Sequence, residues 1–128
     1  MKHFNKDVIM LAKENENFRQ VVFTTELSQV VLMSVPPGGD IGEETHDGID
    51  QVLSFVAGEG TAVLNGEESS FVAGSVVVVP AGTKHNFINK GKSALKLYTV
   101  YTPPEHKDGK IHRTKEDAEN DPDEDHEE

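Results

Sequence analysis

Four consecutive valines, Val76-Val77-Val78-Val79, sit between Gly74-Ser75 and the turn Pro80-Ala81-Gly82, and Thr83-Lys84-His85 follow. β-Branched residues in a row favour an extended strand, and glycine and proline at either end bound it tightly. His85-Asn86-Phe87-Ile88-Asn89 then reads as the next strand. A histidine presented just after a rigid turn, at the mouth of a β structure, is a candidate metal ligand.

The same grammar of short strands and turn residues runs through most of the chain. Strand-like runs lie at residues 19–25, 28–35, 51–56, 61–64, 69–72, 76–79, 85–89 and 94–101. Pro36-Pro37-Gly38-Gly39 stops the second run, and Gly58-Glu59-Gly60 closes the third. Asn65-Gly66 predicts a type I′ hairpin, because both residues tolerate positive φ. No alternation of strands with long helices is present, which argues against a doubly wound parallel sheet. An all-β sandwich or barrel is predicted. Ahead of it, Lys6-Asp7-Val8-Ile9-Met10-Leu11-Ala12-Lys13-Glu14 has helix formers with apolar residues on one side. A short helix ending near Asn15–Asn17 is expected.

With 128 residues, one domain is expected: a helical segment over 1–17, a barrel over 18–104, an irregular arm over 105–115 and an acidic tail over 116–128. The tail carries nine acids and no Lys or Arg, and dominates the formal charge of −11. Like charges repel and nothing apolar repays the ordering entropy, so the tail is expected to be disordered. The chain has no cysteine, which excludes disulfides, thiolate nucleophiles and Cys-type metal sites. There is no basic stripe for nucleic acid and no apolar run long enough to span a membrane. No signal peptide is recognised, and a cytoplasmic location is expected.

Alternation along a strand places Glu44 and His46 on one side, Gln51, Leu53 and Phe55 on one face, and His85, Phe87 and Asn89 on one face. If Glu44, His46, Gln51 and His85 all face inward, a carboxylate, an amide oxygen and two imidazoles meet at one point. Two His and one carboxylate suit a divalent first-row ion: Fe or Mn, with Ni, Co and Zn also compatible. Asp50 rivals Gln51, but its phase puts it on the other face. Phe55 and Phe87 are expected in the core. His106 and His112 read as surface residues of the arm; the alternative folds the arm over the barrel mouth as a lid or proton donor. His3 and His126 lie near the ends and receive no role.

The spacing G-x5-P-x-G-x2-H-x3-N from Gly74 to Asn89 matches the second motif of the cupin superfamily without a gap. The first cupin motif, G-x5-H-x-H-x3/4-E-x6-G, is matched in part. Counting back from Gly58, Gln51 takes the Glu position, His46 the second His position and Glu44 the first, with Gly38 opening the motif. The chain therefore resembles a cupin in which H-x-H…E has become E-x-H…Q. Glu44 supplies the negative charge lost at position 51. The runs at 41–51 and 96–104, and His106…Gly109…His112-Arg113-Thr114-Lys115, resemble small single-domain bacterial cupins of the type labelled phosphomannose-isomerase-like.

The resemblance implies a single cupin (double-stranded β-helix, jelly-roll) barrel holding one divalent metal at Glu44, His46, Gln51 and His85. It implies a metal-dependent enzyme on a small oxygenated molecule, isomerase-like, with Glu44 as base if it is not a ligand. An Fe(II)-dependent dioxygenase and a non-catalytic module for a small ligand are the alternatives. Fold alone does not carry function. No Gly-rich phosphate cradle and no Arg cluster is visible, and Lys84 is the only basic residue near the second motif. A homodimer is expected, through residues 8–11 and the outward Val52 and Val56.

Overall fold

Asp7 opens the first helix, α1 (Val8–Glu14), by accepting the Met10 amide on its side chain, and Ala12 is its buried anchor. The computed structural model describes residues 2–123. Beyond α1 the chain is almost entirely strand: β1 (Arg19–Thr24), β2 (Gln29–Val35), β3 (Asp50–Ala57), β4 (Glu59–Leu64), β5 (Glu67–Val72), β6 (Val76–Val79), β7 (His85–Asn89), β8 (Leu95–Thr102) and β9 (Ile111–His112). A second short helix, α2 (Lys115–Glu119), follows. No helix among the described residues is long and apolar enough to cross a membrane.

The strands form two antiparallel sheets, ordered β6-β3-β8-β2-β1-β9 and β5-β4-β7. Their facing sides bury Val31, Met33, Leu53, Phe55, Phe71, Phe87, Leu95 and Leu97 in one core. Phe55 stacks on Phe71 with centroids 3.9 Å apart, and Phe87 packs beside both. Strict alternation on β7 and β8 puts every second residue into this core. The Asn65-Gly66 turn has φ of 50° and 85°, as an I′ hairpin requires. α1 packs on β8, β2 and β3 from outside, where the Lys96 ammonium donates to the Asn15 carbonyl.

Three expectations need correction. Gly60 is not part of a closing turn but lies within β4. A Cβ there would stand 2.1 Å from the Ile88 carbonyl oxygen and 2.7 Å from Phe71, so glycine is required by close approach of the sheet and core. The arm over 105–115 is not irregular throughout: Ile111 and His112 pair with Gln20 and Arg19 as β9, and α2 starts at Lys115. The acidic tail is helical at its start, from Glu116 to Glu119, and Ala118 is buried. Thr114 caps α2 by accepting the Asp117 amide, and Glu116 and Asp117 sit in its first turn, where the helix dipole favours acids. Asp121 is paired with Lys110, so charge that would repel in an isolated tail is compensated here. Residues 124–128, with His126, lie outside the described residues.

Candidate metal centre

Residues 40–46 run along the free side of β7. The Ile41 amide donates to the Phe87 carbonyl (3.0 Å), and Glu44 and His85 exchange backbone hydrogen bonds of 2.9 Å each. This pairing fixes Glu44 beside His85, and His46 follows two residues later on the same side. The turn before His85 is tied to the same segment, with the Gly82 amide donating to the His46 carbonyl (3.0 Å). Asp50 stays on the opposite face, as its phase predicts, and its Oδ1 accepts the Ala81 amide (2.8 Å). Pro80-Ala81-Gly82 is thereby held from both sides, which is why His85 is rigidly presented.

Glu44, His46 and His85 each turn one ligating atom to a common point, and these atoms lie within 4.8 Å of one another. Glu44 Oε1 is 3.2 Å from His46 Nε2, and the two imidazole centroids are 5.2 Å apart. His85 Nδ1 stands 2.8 Å from the Thr83 carbonyl oxygen. That oxygen can only accept, so Nδ1 carries the proton and Nε2 keeps its lone pair. Gln51 is 3 % exposed, and its Nε2 donates to Thr99 Oγ1 (3.1 Å). Its Oε1 is buried with no hydrogen-bond partner. A buried amide oxygen without a donor is costly, and an ion or an ion-bound water would satisfy it. Two imidazole nitrogens, one carboxylate and one waiting amide oxygen are a donor set that fits a divalent first-row ion.

The site is electrostatically coupled. Burial works against the Glu44 carboxylate, but close contact with His46 Nε2 and the charges of His46, Arg19 and His85 outweigh it and hold its pKa below the usual value. Burial also disfavours a charged His46, yet close contact with the Glu44 carboxylate and the charges of Glu44 and Glu105 raise its pKa. Burial pushes His85 down, and the neighbouring His46 adds to this.

Several residues of this site escape sequence reasoning. Glu105 Oε2 lies 3.6 Å from His46 Nδ1, delivered from the C-terminal arm. The Tyr101 ring meets His46 edge-on at 5.9 Å and His106 edge-on at 5.2 Å. Tyr101 was reachable through the alternation of β8; Glu105 carried no local signal. The surface assignment of His112 is overturned: it is buried, with Nε2 2.9 Å from Asp121 Oδ2 and Nδ1 3.3 Å from an Arg19 nitrogen. His106 is held against the barrel through its backbone, which Gln29 grips at both N–H and C=O. Lys84 pairs with Glu43 at the surface (3.8 Å), whereas Arg19 is buried.

The cupin-domain family model matches residues 31–101, which include all four candidate donors. The Bacillus subtilis protein YrkC is 40% identical over 91% of this chain. The chain spans 66% of YrkC, just under two thirds of that protein. The crystal structure of BH2720 from Bacillus halodurans superposes with a TM-score of 0.91 at 35% identity, covering 92% of this chain and 94% of that one. An oxalate-binding protein from Thermotoga maritima is 31% identical over 53% of this chain and 56% of its own length.

Proposed function

The chain belongs to the cupin family, and from that premise we propose that it is a metal-dependent enzyme acting on a small oxygenated molecule, with isomerase-like proton transfer. The observation that carries this is the convergence of Glu44, His46 and His85 within 4.8 Å, together with a buried Gln51 Oε1 that meets no donor among the described residues. Glu44, His46 and His85 would hold one divalent ion, and Gln51 would ligate it or receive a hydrogen bond from its water. When bound, such an ion polarises a carbonyl or a pair of neighbouring oxygens as a Lewis acid. The chain's own groups do the rest. Thr83 fixes the His85 tautomer, and Glu105 stands on the far side of His46, where a carboxylate orients an imidazole ligand. Glu44 Oε1 faces His46, and if Glu44 is not a ligand its carboxylate is the candidate base that moves the proton.

Two other readings have support. Two His and one carboxylate are also the donor set of oxygen-activating Fe(II) sites, which favours a dioxygenase. The resemblance to an oxalate-binding protein favours a module that holds a small ligand without turnover. The experiment is elemental analysis of tag-free protein purified without oxygen, for wild type and His85→Ala. About one divalent ion per chain is expected in wild type, and none in the variant, with the β circular-dichroism signal kept. Undiminished metal in His85→Ala would reject the site. Oxygen uptake by the iron form would move the reading to a dioxygenase; ligand binding with no turnover would move it to a module.

A further inference from the structure

Arg19 is 5 % exposed, a depth at which a guanidinium is almost always paired with a carboxylate. It is not so paired among the described residues. Its hydrogen bond runs to His112 Nδ1, at 3.3 Å. His112 Nε2 faces Asp121 Oδ2, which can only accept, so Nε2 holds the proton and Nδ1 is a neutral acceptor. Asp121 is engaged by Lys110 and His112. Arg19 Nε is buried with no hydrogen-bond partner. The guanidinium carbon lies 5.2 Å over the Phe18 ring, which orients the group without neutralising it.

The position of this charge is informative. Arg19 shares the inward face of β1 with Val21, next to Met33 on β2 and His112 on β9. β1 and β9 form one edge of the large sheet, and residues 40–44 form the corresponding edge of the small one. The Lys115–Asp40 ion pair ties the two edges together. Arg19, buried on β1, and Glu44, bridged to His85 on the small sheet, thus stand on two sides of one seam.

With an ion held by Glu44, His46 and His85, the interior has a divalent cation and a guanidinium against the carboxylates of Glu44 and Glu105. The excess is positive, and a poorly solvated interior favours an anion that cancels it. A guanidinium fork matches the two coplanar oxygens of a carboxylate. A phosphoryl group fits less well, since a lone Arg without a glycine-rich cradle offers it few donors.

We infer that Arg19 makes this site selective for a small carboxylate that carries an oxygen on the adjacent carbon. The carboxylate sits on the guanidinium, and the neighbouring oxygens face the ion; this rests on the metal-site reading above. Arg19 is then a substrate-contacting residue, and the His112–Asp121–Lys110 chain behind it is what positions it.

The test titrates manganese-loaded protein with glycolate and with glycolamide, its uncharged counterpart, by calorimetry, with bound metal counted in parallel. Wild type is expected to bind glycolate about tenfold more tightly than glycolamide. Arg19→Gln is expected to keep its manganese, lose about tenfold in glycolate affinity and leave glycolamide unchanged. Equal affinity of wild type for the two ligands overturns the inference. So does an Arg19→Gln variant that binds glycolate as wild type does, which would make Arg19 a pin for β9 only. If Arg19→Gln does not fold, Arg19→Lys keeps the charge but not the fork, and unaltered glycolate affinity in it counts against the carboxylate fit. If wild type holds no manganese, the metal reading fails separately; glycolate binding to metal-free wild type that Arg19→Gln abolishes would still support Arg19, and no difference would overturn it.

Discussion

Gly60 and Gln51 show how single positions in this barrel are constrained by what lies across it. A Cβ on residue 60 would collide with the Ile88 carbonyl and the Phe71 ring, neither of which can yield without disturbing the sheet or the aromatic core. Gly60→Ala is therefore expected to destabilise the protein by about 3 kcal/mol or more, measured by urea unfolding. Phe71→Ala, which empties the place where Phe55 stacks at 3.9 Å, is expected to cost about 3–5 kcal/mol in the same assay. Gln51 is the opposite case, a buried group whose oxygen is worse off for being there. Gln51→Leu is expected to change stability by less than about 1 kcal/mol, since a lost Thr99 bond offsets removal of an unsatisfied acceptor. Its metal affinity is expected to fall about tenfold or more in a competition assay with a chelator dye. Unchanged affinity would exclude Gln51 from the site. Sequence phase alone placed Gln51 inward; that its oxygen lacks a donor is a property of the packed interior.

The C-terminal arm is the element that most changes the picture drawn from sequence. Gln29, 1 % exposed, uses its whole hydrogen-bonding capacity on it and its neighbour: Nε2 donates to the His106 carbonyl (2.7 Å) and Thr24 Oγ1 (3.0 Å), and Oε1 accepts the Glu105 and His106 amides (3.2 and 3.0 Å). Gln29→Leu is expected to free the arm before the barrel unfolds, seen as faster tryptic cleavage after Lys107 and Lys110. Metal affinity should drop with it, because Glu105 leaves His46. Acid should loosen the same element. Lys110, His112 and the Asp123 amide hold the Asp121 carboxyl far below its usual range. At Asp40 burial acts in the other direction, but Lys115 and Asn86 outweigh it and depress the pKa as well. Folded values below unfolded ones mean that this stabilisation is present above about pH 4 and is lost as pH falls through the folded values. The wild-type melting temperature is expected to fall more steeply below about pH 4 than that of Asp121→Asn; parallel curves would show that the pair contributes nothing. The strands themselves were legible because β-branched runs and Gly, Pro and Asn turns are local. The arm was not, because its ordering depends on partners on β1, on β2 and at Asp40.

At the scale of the molecule, the outer face of the large sheet is covered by α1 only in part among the described residues. Val78, Val52, Val100 and Val30 lie in one row across β6, β3, β8 and β2, and Val76 and Val78 are more than half exposed. Ile9 and Met10 of α1 are also about half exposed. A second copy of the chain would cover it, and sedimentation at micromolar concentration is expected to give twice the 14.0 kDa chain mass, with Val78→Lys shifting it to the monomer. A single 14.0 kDa species for wild type would remove the idea. The amino-acid sequence by itself determined where the strands fall along the chain, the I′ hairpin, the rigid Pro-x-Gly approach to His85 and the inward phase of Glu44, His46, Gln51 and His85. Each of these is encoded in spacing over a few residues. Only the tertiary structure decided that Glu105 faces His46, that Arg19 is buried without a carboxylate among the described residues, and that His112 is a core residue bonded to a side chain 93 positions away. Periodicity reports which face a side chain takes, not which distant group it meets, and those meetings are set by how two sheets and a returning arm close on one another.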